Sequence, residues 1–345
     1  MGLSADEMRG RLEAFIAGEA GAGRVRILDL ERFGTGAVQE NWRLEAEIDG
    51  RRETLALRTS SASEGVNESM GRAEEFALMR AVHAAGVPVP EPLWLAREAS
   101  VIGRPFYISR FVEGTAAAYR LVRDPALGDG LAEALGAALA RIHALKPGHP
   151  GLDFLAPPKP SPARAGIARI RGFLDSHPVP HPALEWSLRW LERHEPPCRE
   201  LTLAHRDFRT GNYLVEQGEL RAVLDWEFAG WSDPHEDIGW LCARCWRFGS
   251  NEREAGGIGG REAFYRGYER ASGRSIERAA VPYWEVMAHA RWGYMAIQQG
   301  VRHRSDPEKA LELALTARVV PELELEGLLL IRKIAEAPPG AAWGS

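Results

Sequence analysis

The order of apolar and polar positions divides the chain into a strand-rich first third and a helical remainder. Ser4 and Glu7 form a capping box, and the apolar positions from Met8 to Ile16 then repeat with a helical period. Five runs of residues that favour strands follow, and a helical stretch at residues 70–84 separates the third run from the fourth. The predicted strands cover residues 24–30, 41–48, 54–58, 93–96 and 106–111.

Helical periodicity dominates after residue 113, where we place a domain boundary. Leu131, Leu135, Leu139 and Ile142 form the apolar seam of a core helix that is predicted at residues 131–145. Further helices are predicted at residues 162–176, 183–195, 237–248, 261–272, 282–303, 307–318 and 323–337. The pattern therefore predicts two domains, residues 1–112 and residues 113–345.

Residues 201–240 interrupt the helices and place polar side chains at loop positions. A short apolar strand, residues 201–204, precedes His205-Arg206-Asp207, and Asn212 follows five residues after Asp207. Two strands at residues 213–215 and 222–224 flank a Gln217-Gly218 turn, and Asp225 comes directly after them. Pairing of these two strands is expected to bring Asp225 back beside Asn212.

Phosphoryl transfer from a nucleotide needs this combination of side chains. A carboxylate must orient the accepting hydroxyl, and hard oxygen ligands must hold Mg²⁺ on the phosphates. Asp207 is the candidate carboxylate, and Asn212 and Asp225 are the candidate metal ligands. Each residue alone is also typical of an ordinary turn. The ordered combination of strand, loop, hairpin and second aspartate favours the functional interpretation.

The same residues resemble the catalytic segment of the aminoglycoside phosphotransferase and choline kinase-like family, a branch of the protein-kinase-like fold. Asp225-Trp226-Glu227 and the run from Asp233 to Trp240 are most similar to the phosphotransferase domains fused to some acyl-CoA dehydrogenases. The resemblance implies an α+β fold of two lobes, one a small antiparallel β-sheet with one helix and the other larger and mostly helical. It implies that His205 and Asp237 support the catalytic loop. Because Trp226 and Glu227 replace the Phe-Gly of protein kinases, it also implies a small-molecule acceptor.

The resemblance further implies how the nucleotide phosphates are held. The third strand of this fold supplies a cation, and the first lysine of the chain is Lys146, so Arg58 is the candidate. Its guanidinium would grip phosphate through a planar fork. A carboxylate on the next helix would orient Arg58, and Glu75 is the candidate, with Glu74 as the alternative.

The resemblance implies that three other stretches take part in nucleotide binding. Gly34 and Gly36 could let backbone amides approach phosphate oxygens, although a plain hairpin turn explains the same glycines. Ser109 and Phe111 are expected at the hinge, where backbone groups would meet the adenine edge. Residues 60–69 could form a lid over the substrate or a mobile loop. The cofactors implied are ATP, or GTP, with Mg²⁺.

Composition narrows the possible partners and location. The chain has 345 residues, a net charge of −5 and 26% charged residues, so no basic surplus indicates a nucleic-acid partner. No apolar run is long enough to span a membrane, and a cytoplasmic protein is expected. Cys242 and Cys245 have the spacing of a redox motif, but they lie in a predicted helix and are interpreted as packed thiols.

The acceptor is the least constrained part of the prediction. Residues 241–345 contain 13 acidic and 15 basic residues, so they lack the acidic surplus that a polycationic aminoglycoside would require. Arg244, Trp246, Arg247 and Trp292 favour an anionic or partly apolar acceptor, such as a hydroxylated acid or its thioester. The same four residues could instead be core filling and a solvated face.

Three alternative functions remain open at this stage. An aminoglycoside-type antibiotic phosphotransferase would use the same catalytic residues with a different acceptor pocket. A catalytically weak nucleotide-binding protein would be consistent with arginine in place of the usual lysine. A metal-dependent hydrolase would use His205, Asp207 and His235, which lack a recognisable metal-ligand spacing.

Overall fold

The computed structural model describes residues 4–33, 39–60, 70–305 and 311–337. The chain forms two compact units, which we call the sheet unit and the helical unit. The sheet unit comprises Met1–Gly114, Pro150–Phe154 and Arg221–Phe228. The helical unit comprises Thr115–His149, Leu155–Leu220 and Ala229–Ser345. The segment that contains Asp225 therefore belongs to the sheet unit, although it lies far along the sequence.

A five-stranded antiparallel sheet forms the centre of the sheet unit, with strand order β1-β2-β3-β5-β4. The strands are β1 (Val25–Phe33), β2 (Gln39–Ile48), β3 (Arg51–Ser60), β4 (Pro92–Ala96) and β5 (Phe106–Arg110). Helix α1 (Ala5–Ala20) precedes the sheet, and α2 (Arg72–Ala84) connects β3 to β4. The capping box of Ser4 and Glu7 is present at the start of α1, as predicted.

Alternation along β3 places its residues on two different faces of the sheet. Leu55 and Leu57 are fully buried and pack with Leu12 and Ile16 of α1. Because side chains alternate along a strand, Arg58 points to the opposite face. The apolar face of β3 thus fixes the strand, and the register that results carries Arg58 opposite Asn41 of β2 and Tyr107 of β5.

The helical unit contains most of the helices. Those before residue 200 are α3 (Ala118–Leu121), α4 (Asp129–Ile142), α5 (Pro162–Ser176) and α6 (Pro182–Arg193). The short strands that follow along the chain are β6 (Thr202–Ala204), β7 (Tyr213–Glu216), β8 (Glu219–Val223) and β9 (Gly230–Ser232), which pair as β6-β9 and β7-β8. The last three residues of β8 belong to the sheet unit. The later helices are α7 (Pro234–Cys242), α8 (Arg261–Ser272), α9 (Val281–Ser305), α10 (Leu311–Ala317) and α11 (Val320–Glu336).

Helices α4 and α8 approach each other closely because glycines stand at their crossing. A Cβ atom on Gly136 would lie 2.1 Å from the carbonyl oxygen of Phe264, and one on Gly267 would lie 2.0 Å from that of Glu133. A separate apolar core surrounds α9, where Tyr283, Trp284 and Met287 pack against α5 and α6. Helix α7 also contacts α9, so the residues after the catalytic loop rest on this core.

The prediction of one helix over residues 237–248 is wrong at both ends. Helix α7 begins at Pro234, after the cap provided by Asp233, and it ends at Cys242. A 3₁₀ turn at Arg244–Trp246 follows. The guanidinium of Arg247 donates to the carbonyl oxygen of Cys242 over 2.8 Å. A side chain therefore satisfies a carbonyl at the helix end, an arrangement that helical periodicity does not reveal. In the described residues no helix is both long and apolar enough to cross a membrane.

Candidate active site

Asp237 holds the backbone of the loop between β6 and β7. Its Oδ2 atom accepts from the backbone N–H of His205, and its Oδ1 atom accepts from that of Arg206, each over 2.7 Å. Arg206 has φ of 61°, a left-handed conformation that costs about 1 kcal/mol for a residue with a side chain. The fully buried Asp237 carboxylate thus supports a strained turn directly before Asp207.

The protonation of Asp237 follows from its surroundings. Burial alone would raise its pKa, but the hydrogen bonds from the His143 ring and from the backbone N–H of His205 hold the pKa below its ordinary value. His143 Nε2 lies 3.1 Å from Asp237 Oδ2, and its Nδ1 lies 3.0 Å from the hydroxyl of Tyr268. Burial lowers the pKa of His143, so its neutral ring can donate to Asp237 and accept from Tyr268. The aspartate therefore stays ionised.

Both oxygens of the Asp207 carboxylate are held by side-chain donors. Asn212 donates to Oδ2 over 2.5 Å, and Trp240 and Arg209 donate to Oδ1 over 3.1 and 3.2 Å. The same Asn212 nitrogen also lies 2.9 Å from the backbone oxygen of Asp207. Three donors on one carboxylate fix its direction, and they leave the amide oxygen of Asn212 as the group that could face a metal ion.

Two arginines stack on the tryptophans around this loop. Arg209 lies 4.6 Å from the ring centre of Trp246, and Arg291 lies 4.7 Å from that of Trp240. Arg291 also donates to the backbone oxygen of Arg206. It therefore holds the carbonyl group of the strained turn, whereas Asp237 holds the N–H groups. Cation–π contacts of this kind contribute about 0.5–2 kcal/mol each, more where the cation is desolvated.

The sequence did not predict that Trp240, Arg209 and Arg291 contact the loop that carries Asp207. A signal for Trp240 was present, because Trp240 lies three residues after Asp237 and residues i and i+3 share a helix face. Arg291 comes from α9, far along the chain, and no local pattern connects it with the loop.

A second polar cluster lies within the sheet unit and is centred on Arg58. Its Nε lies 3.0 Å from Glu75 Oε1, and its Nη2 donates to Asp225 Oδ1 over 2.8 Å. Glu75 is 1% exposed and is also contacted by Arg72 and, over 3.2 Å, by the hydroxyl of Tyr107. Burial would lower the pKa of Arg58, but Glu75, Tyr107 and Asp225 raise it above its ordinary value. Arg58 is therefore charged at every physiological pH.

Asp225 is anchored in the sheet unit by backbone hydrogen bonds on each side of it. Val223 donates to the carbonyl oxygen of Pro88 over 2.7 Å, and Met70 donates to that of Glu227 over 3.1 Å. Asp225 itself has φ of 59°, the left-handed region again. Its side chain is 39% exposed, so a ligand can reach the carboxylate without displacing a core residue.

The structure separates the two candidates for the partner of Arg58. Glu75 makes the ion pair, whereas Glu74 accepts from the backbone N–H of Gly71 and so caps α2. At the expected hinge, Ser109 is buried within β5, and the N–H of Phe111 donates to the carbonyl oxygen of Thr54. Gly34 and Gly36 lie outside the described residues, as does nearly all of the candidate lid.

The four residues predicted to meet the acceptor fall into two groups. Trp246 and Trp292 stack on each other with ring centres 5.0 Å apart, in a cluster that also includes Trp240. Arg247 is buried and is bonded to the backbone around it, and Arg244 forms an ion pair with Glu326 over 3.1 Å. Both arginines line a cavity that does not include the tryptophans.

The remaining sequence hypotheses can be placed directly. Cys242 and Cys245 are free, and burial raises the pKa of Cys242 to about 12, which agrees with packed thiols. His235 Nδ1 contacts Asp233 over 2.7 Å, and its Nε2 accepts from the backbone N–H of Glu277. Both nitrogens of His235 are thus engaged away from Asp207, an arrangement that does not favour the hydrolase hypothesis.

The chain is similar to known proteins in sequence and in fold. Mouse acyl-CoA dehydrogenase family member 10 is 29% identical over 240 residues, which is 67% of this chain but only 22% of that protein. The chain thus spans about a fifth of the length of this relative. A solved structure of a candidate aminoglycoside phosphotransferase from Ralstonia eutropha JMP134 superposes with a TM-score of 0.75 at 22% identity, covering 94% of this chain and 98% of the other.

A second solved structure, spectinomycin phosphotransferase in complex with ADP and spectinomycin, gives a TM-score of 0.62 at 12% identity, covering 93% of this chain and 98% of the other. These neighbours confirm the predicted α+β, protein-kinase-like fold. The model of the phosphotransferase enzyme family matches residues 29–279, a span that contains both Arg58 and Asp237. The chain is therefore a member of the phosphotransferase enzyme family.

Proposed function

We propose that this protein transfers the γ-phosphoryl group of ATP or GTP to a hydroxyl group of a small molecule. The observation that carries the proposal is the Asp207 carboxylate, which Asn212, Trp240 and Arg209 hold in one direction on a loop fixed by Asp237. Family membership and the ADP bound to the spectinomycin enzyme support it. In this proposal the sheet unit binds the nucleotide and the helical unit supplies the catalytic carboxylate.

Asp207 orients the acceptor and takes its proton. Because Oδ2 and Oδ1 already accept hydrogen bonds, the carboxylate cannot rotate, and a hydroxyl that donates to it is aligned for in-line attack on the γ-phosphorus. The proton moves from that hydroxyl to Asp207 as the new P–O bond forms and the bond to the β-phosphate oxygen breaks. The loop geometry is thus pre-organised for the transfer.

Asn212 and Asp225 suit the oxygen chemistry of Mg²⁺. The nitrogen of Asn212 is committed to Asp207, so its amide oxygen is the atom that would bind the ion. The Asp225 carboxylate is partly exposed and can offer a second oxygen. When bound, the ion would neutralise charge on the β- and γ-phosphates. The assignment of these two residues as a ligand pair rests on their order and spacing in the sequence.

Arg58 supplies the cation for the α- and β-phosphates, and Glu75 positions it. The ion pair of Arg58 with Asp225 means that phosphate binding exchanges one anionic partner of the guanidinium for another. Planar guanidinium groups bind phosphate oxygens in pairs, so Arg58 can serve where related folds use lysine.

The acceptor that fits best is an anionic or partly apolar alcohol, such as a hydroxylated acid or its thioester. Arg209 lies beside Asp207 and is stacked on Trp246, so the surface next to the catalytic carboxylate is cationic and aromatic. Arg209 would disfavour a polycationic aminoglycoside at this position.

The test is nucleotide turnover in the presence of candidate acceptors. We expect hydroxylated acids and thioesters to stimulate ADP release in the presence of Mg²⁺, and aminoglycosides to leave it unchanged. Asp207→Asn should lower kcat by about three orders of magnitude while the affinity for a non-hydrolysable nucleotide stays within about twofold. Asp175→Asn, an exposed site on α5, is the matched control. Full acceptor phosphorylation by Asp207→Asn would disprove the assignment.

A further inference from the structure

A cavity of about 200 Å³ lies in the helical unit, away from the Asp207 carboxylate. It is bordered by α9, α11 and the 3₁₀ turn Arg244–Trp246. The 3₁₀ turn contacts both the cavity and the surroundings of Asp207. Arg244 and the following Arg247 line the cavity, whereas Trp246 packs under Arg209 next to Asp207. Residues three apart share a face of a 3₁₀ turn, so Arg244 and Arg247 project together, and Trp246 projects from a different face.

His289 contributes an unused hydrogen-bond acceptor to the cavity wall. The residue is 2% exposed, and its Nδ1 lies 2.7 Å from the carbonyl oxygen of Glu285, one turn earlier in α9. Nδ1 therefore carries the ring proton, and Nε2 bears a lone pair. Among the described residues Nε2 has no hydrogen-bond partner. A buried polar atom without a partner destabilises the free protein, and a ligand that donates a hydrogen bond to it removes that penalty.

The ring of His289 is neutral and faces the cavity. Burial lowers the pKa of His289. The charged side chains that act on it are Glu326, Arg247 and Arg244, and all three line the cavity. Nδ1 is turned toward the helix backbone, so Nε2 lies at the other end of the ring, where it is buried in the cavity wall.

The charged groups of the cavity leave one positive charge without compensation. The lining contains four cationic side chains and three carboxylates. The carboxylates form ion pairs with all three arginines: Glu285 and Glu254 with Arg261, over 2.7 and 3.1 Å, and Glu326 with Arg244 over 3.1 Å. Arg247 also lies 3.5 Å from Glu254 and 3.8 Å from Glu285. Lys333 provides the surplus charge. Its side chain is exposed, so this charge stands at the mouth of the cavity.

An apolar wall completes the site. Pro282 of α9 and Leu329 and Leu330 of α11 line the cavity beside Lys333. Leu329 remains 36% exposed, and burying such a side chain under a ligand is favourable because apolar surface leaves water. The cavity thus offers an anion-binding group at its mouth, a hydrogen-bond acceptor in its depth and an apolar surface between them.

We propose that this cavity is a second binding site, specific for a small organic anion that has an apolar body and carries a hydroxyl or N–H donor. The anionic group pairs with Lys333, the donor bonds to His289 Nε2, and the body covers Leu329 and Leu330. Binding there would contact Arg244 of the 3₁₀ turn, and Trp246 of the same turn packs under Arg209. The site is separate from the acceptor position at Asp207.

A pair of probes that differ by one hydroxyl tests the predicted chemistry. Mandelate has an anion, a ring and a hydroxyl donor, and phenylacetate lacks only the donor. Titrations of the full chain, followed by calorimetry or by ligand NMR, should show mandelate binding about five to tenfold more tightly than phenylacetate. In His289→Phe, with folding verified by circular dichroism, the two affinities should become equal. Equal affinities in the unaltered protein would overturn the proposal.

Charge variants on α11 test the position of the site and do not touch the core. Lys333→Gln should weaken mandelate binding by about fivefold or more, and Arg332→Gln, which removes the same charge from the adjacent exposed position, should change it by less than about twofold. Mandelate is itself a hydroxylated acid and could also enter the acceptor position, so Asp207→Asn should leave the part of mandelate binding that Lys333→Gln removes unchanged. If Asp207→Asn abolished binding while Lys333→Gln did not, the probe would occupy the acceptor position and the second site would be refuted. The phosphotransferase proposal does not depend on this result.

Discussion

The indole N–H of Trp240 donates to the Oδ1 atom of Asp207 over 3.1 Å. Trp240 is 2% exposed and lies one helical turn after Asp237, whose carboxylate accepts from the backbone of the same loop. One face of α7 therefore fixes both the backbone of the catalytic loop and the direction of its carboxylate. A helix is stiffer than the loop it supports, so the position of Asp207 is set by secondary structure.

Trp240→Phe should separate the effect of this hydrogen bond from that of the ring. The variant keeps an aromatic surface under Arg291 but removes the donor to Asp207. A hydrogen bond to a charged group contributes about 1.5–3 kcal/mol, so we expect kcat to fall by about tenfold or more while the KM for nucleotide changes little. Steady-state kinetics with the best acceptor would measure this.

Trp284→Phe is the matched control for that experiment. Trp284 is also buried, and its indole N–H has no hydrogen-bond partner among the residues that the structure describes. Trp284→Phe should lower the free energy of unfolding but should not lower the kcat of the folded protein. Equal losses of kcat in the two variants would mean that Trp240 acts only by filling space.

Arg58 can be tested through stability as well as through catalysis. Arg58→Met removes one partner of the buried Glu75 carboxylate and leaves Arg72 and Tyr107 as its remaining contacts. Removing a partner from a buried ion pair costs about 3–5 kcal/mol. Chemical denaturation should therefore show a loss toward the lower end of that range, because two partners remain.

The matched control for this loss is Arg52→Met, an exposed arginine on the same strand, which should change the unfolding free energy by less than about 0.5 kcal/mol. Arg58→Met should also raise the KM for nucleotide, whereas Arg52→Met should not. A stable Arg58→Met protein with normal nucleotide affinity would show that the cluster neither supports the fold nor binds phosphate.

Most of the polar residues that we place in the site could be found from sequence because they are close together along the chain. Asp207, Asn212 and Asp225 lie within one short stretch, with strands and a turn between them that have clear local patterns. Arg58 could be singled out because no lysine precedes residue 146. The sequence could not decide whether Glu75 or Glu74 pairs with Arg58. The two residues are adjacent on α2, and only the structure shows which side chain points toward Arg58.

The residues that sequence missed act across long separations or through backbone conformation. Arg291 reaches the carbonyl oxygen of Arg206 from 85 residues away, and the left-handed conformation of Arg206 is imposed by those tertiary contacts. The end of α7 at Cys242 depends on a hydrogen bond from Arg247. Local propensity carries no information about partners of this kind.

The crossing of α4 and α8 predicts a strong contrast between two glycine substitutions. Gly136→Ala would place a Cβ atom 2.1 Å from a carbonyl oxygen, so the helices must separate, at a cost of about 2–4 kcal/mol. Gly172→Ala, in the middle of α5, meets nothing within 4 Å and should stabilise the protein by about 0.5–1 kcal/mol. Thermal or chemical denaturation of both variants checks the prediction. Equal effects would contradict the close approach of α4 and α8.

Two buried histidines predict how stability depends on pH. Burial lowers the pKa of His143 and that of His289 below the ordinary value of 6.5. Below that value the unfolded chain binds protons that the folded chain excludes, so the free energy of unfolding must decrease as pH falls below about 6.5. Each histidine can contribute up to about 1.4 kcal/mol per pH unit. Asp237, whose pKa is also lowered, adds a further loss only below about pH 4.

The contribution of one histidine can be isolated by substitution. Denaturant titrations between pH 7.5 and 5 should show that the free energy of unfolding decreases less steeply with falling pH for His289→Phe than for the unaltered protein. The reason is that the variant lacks one group that binds a proton in the unfolded chain and not in the folded chain. His83→Gln, at an exposed position on α2, should leave the slope unchanged. If His289→Phe kept the full slope, the ring of His289 would be able to protonate in the folded state. That result would also remove the neutral acceptor on which binding of a donor-bearing anion depends.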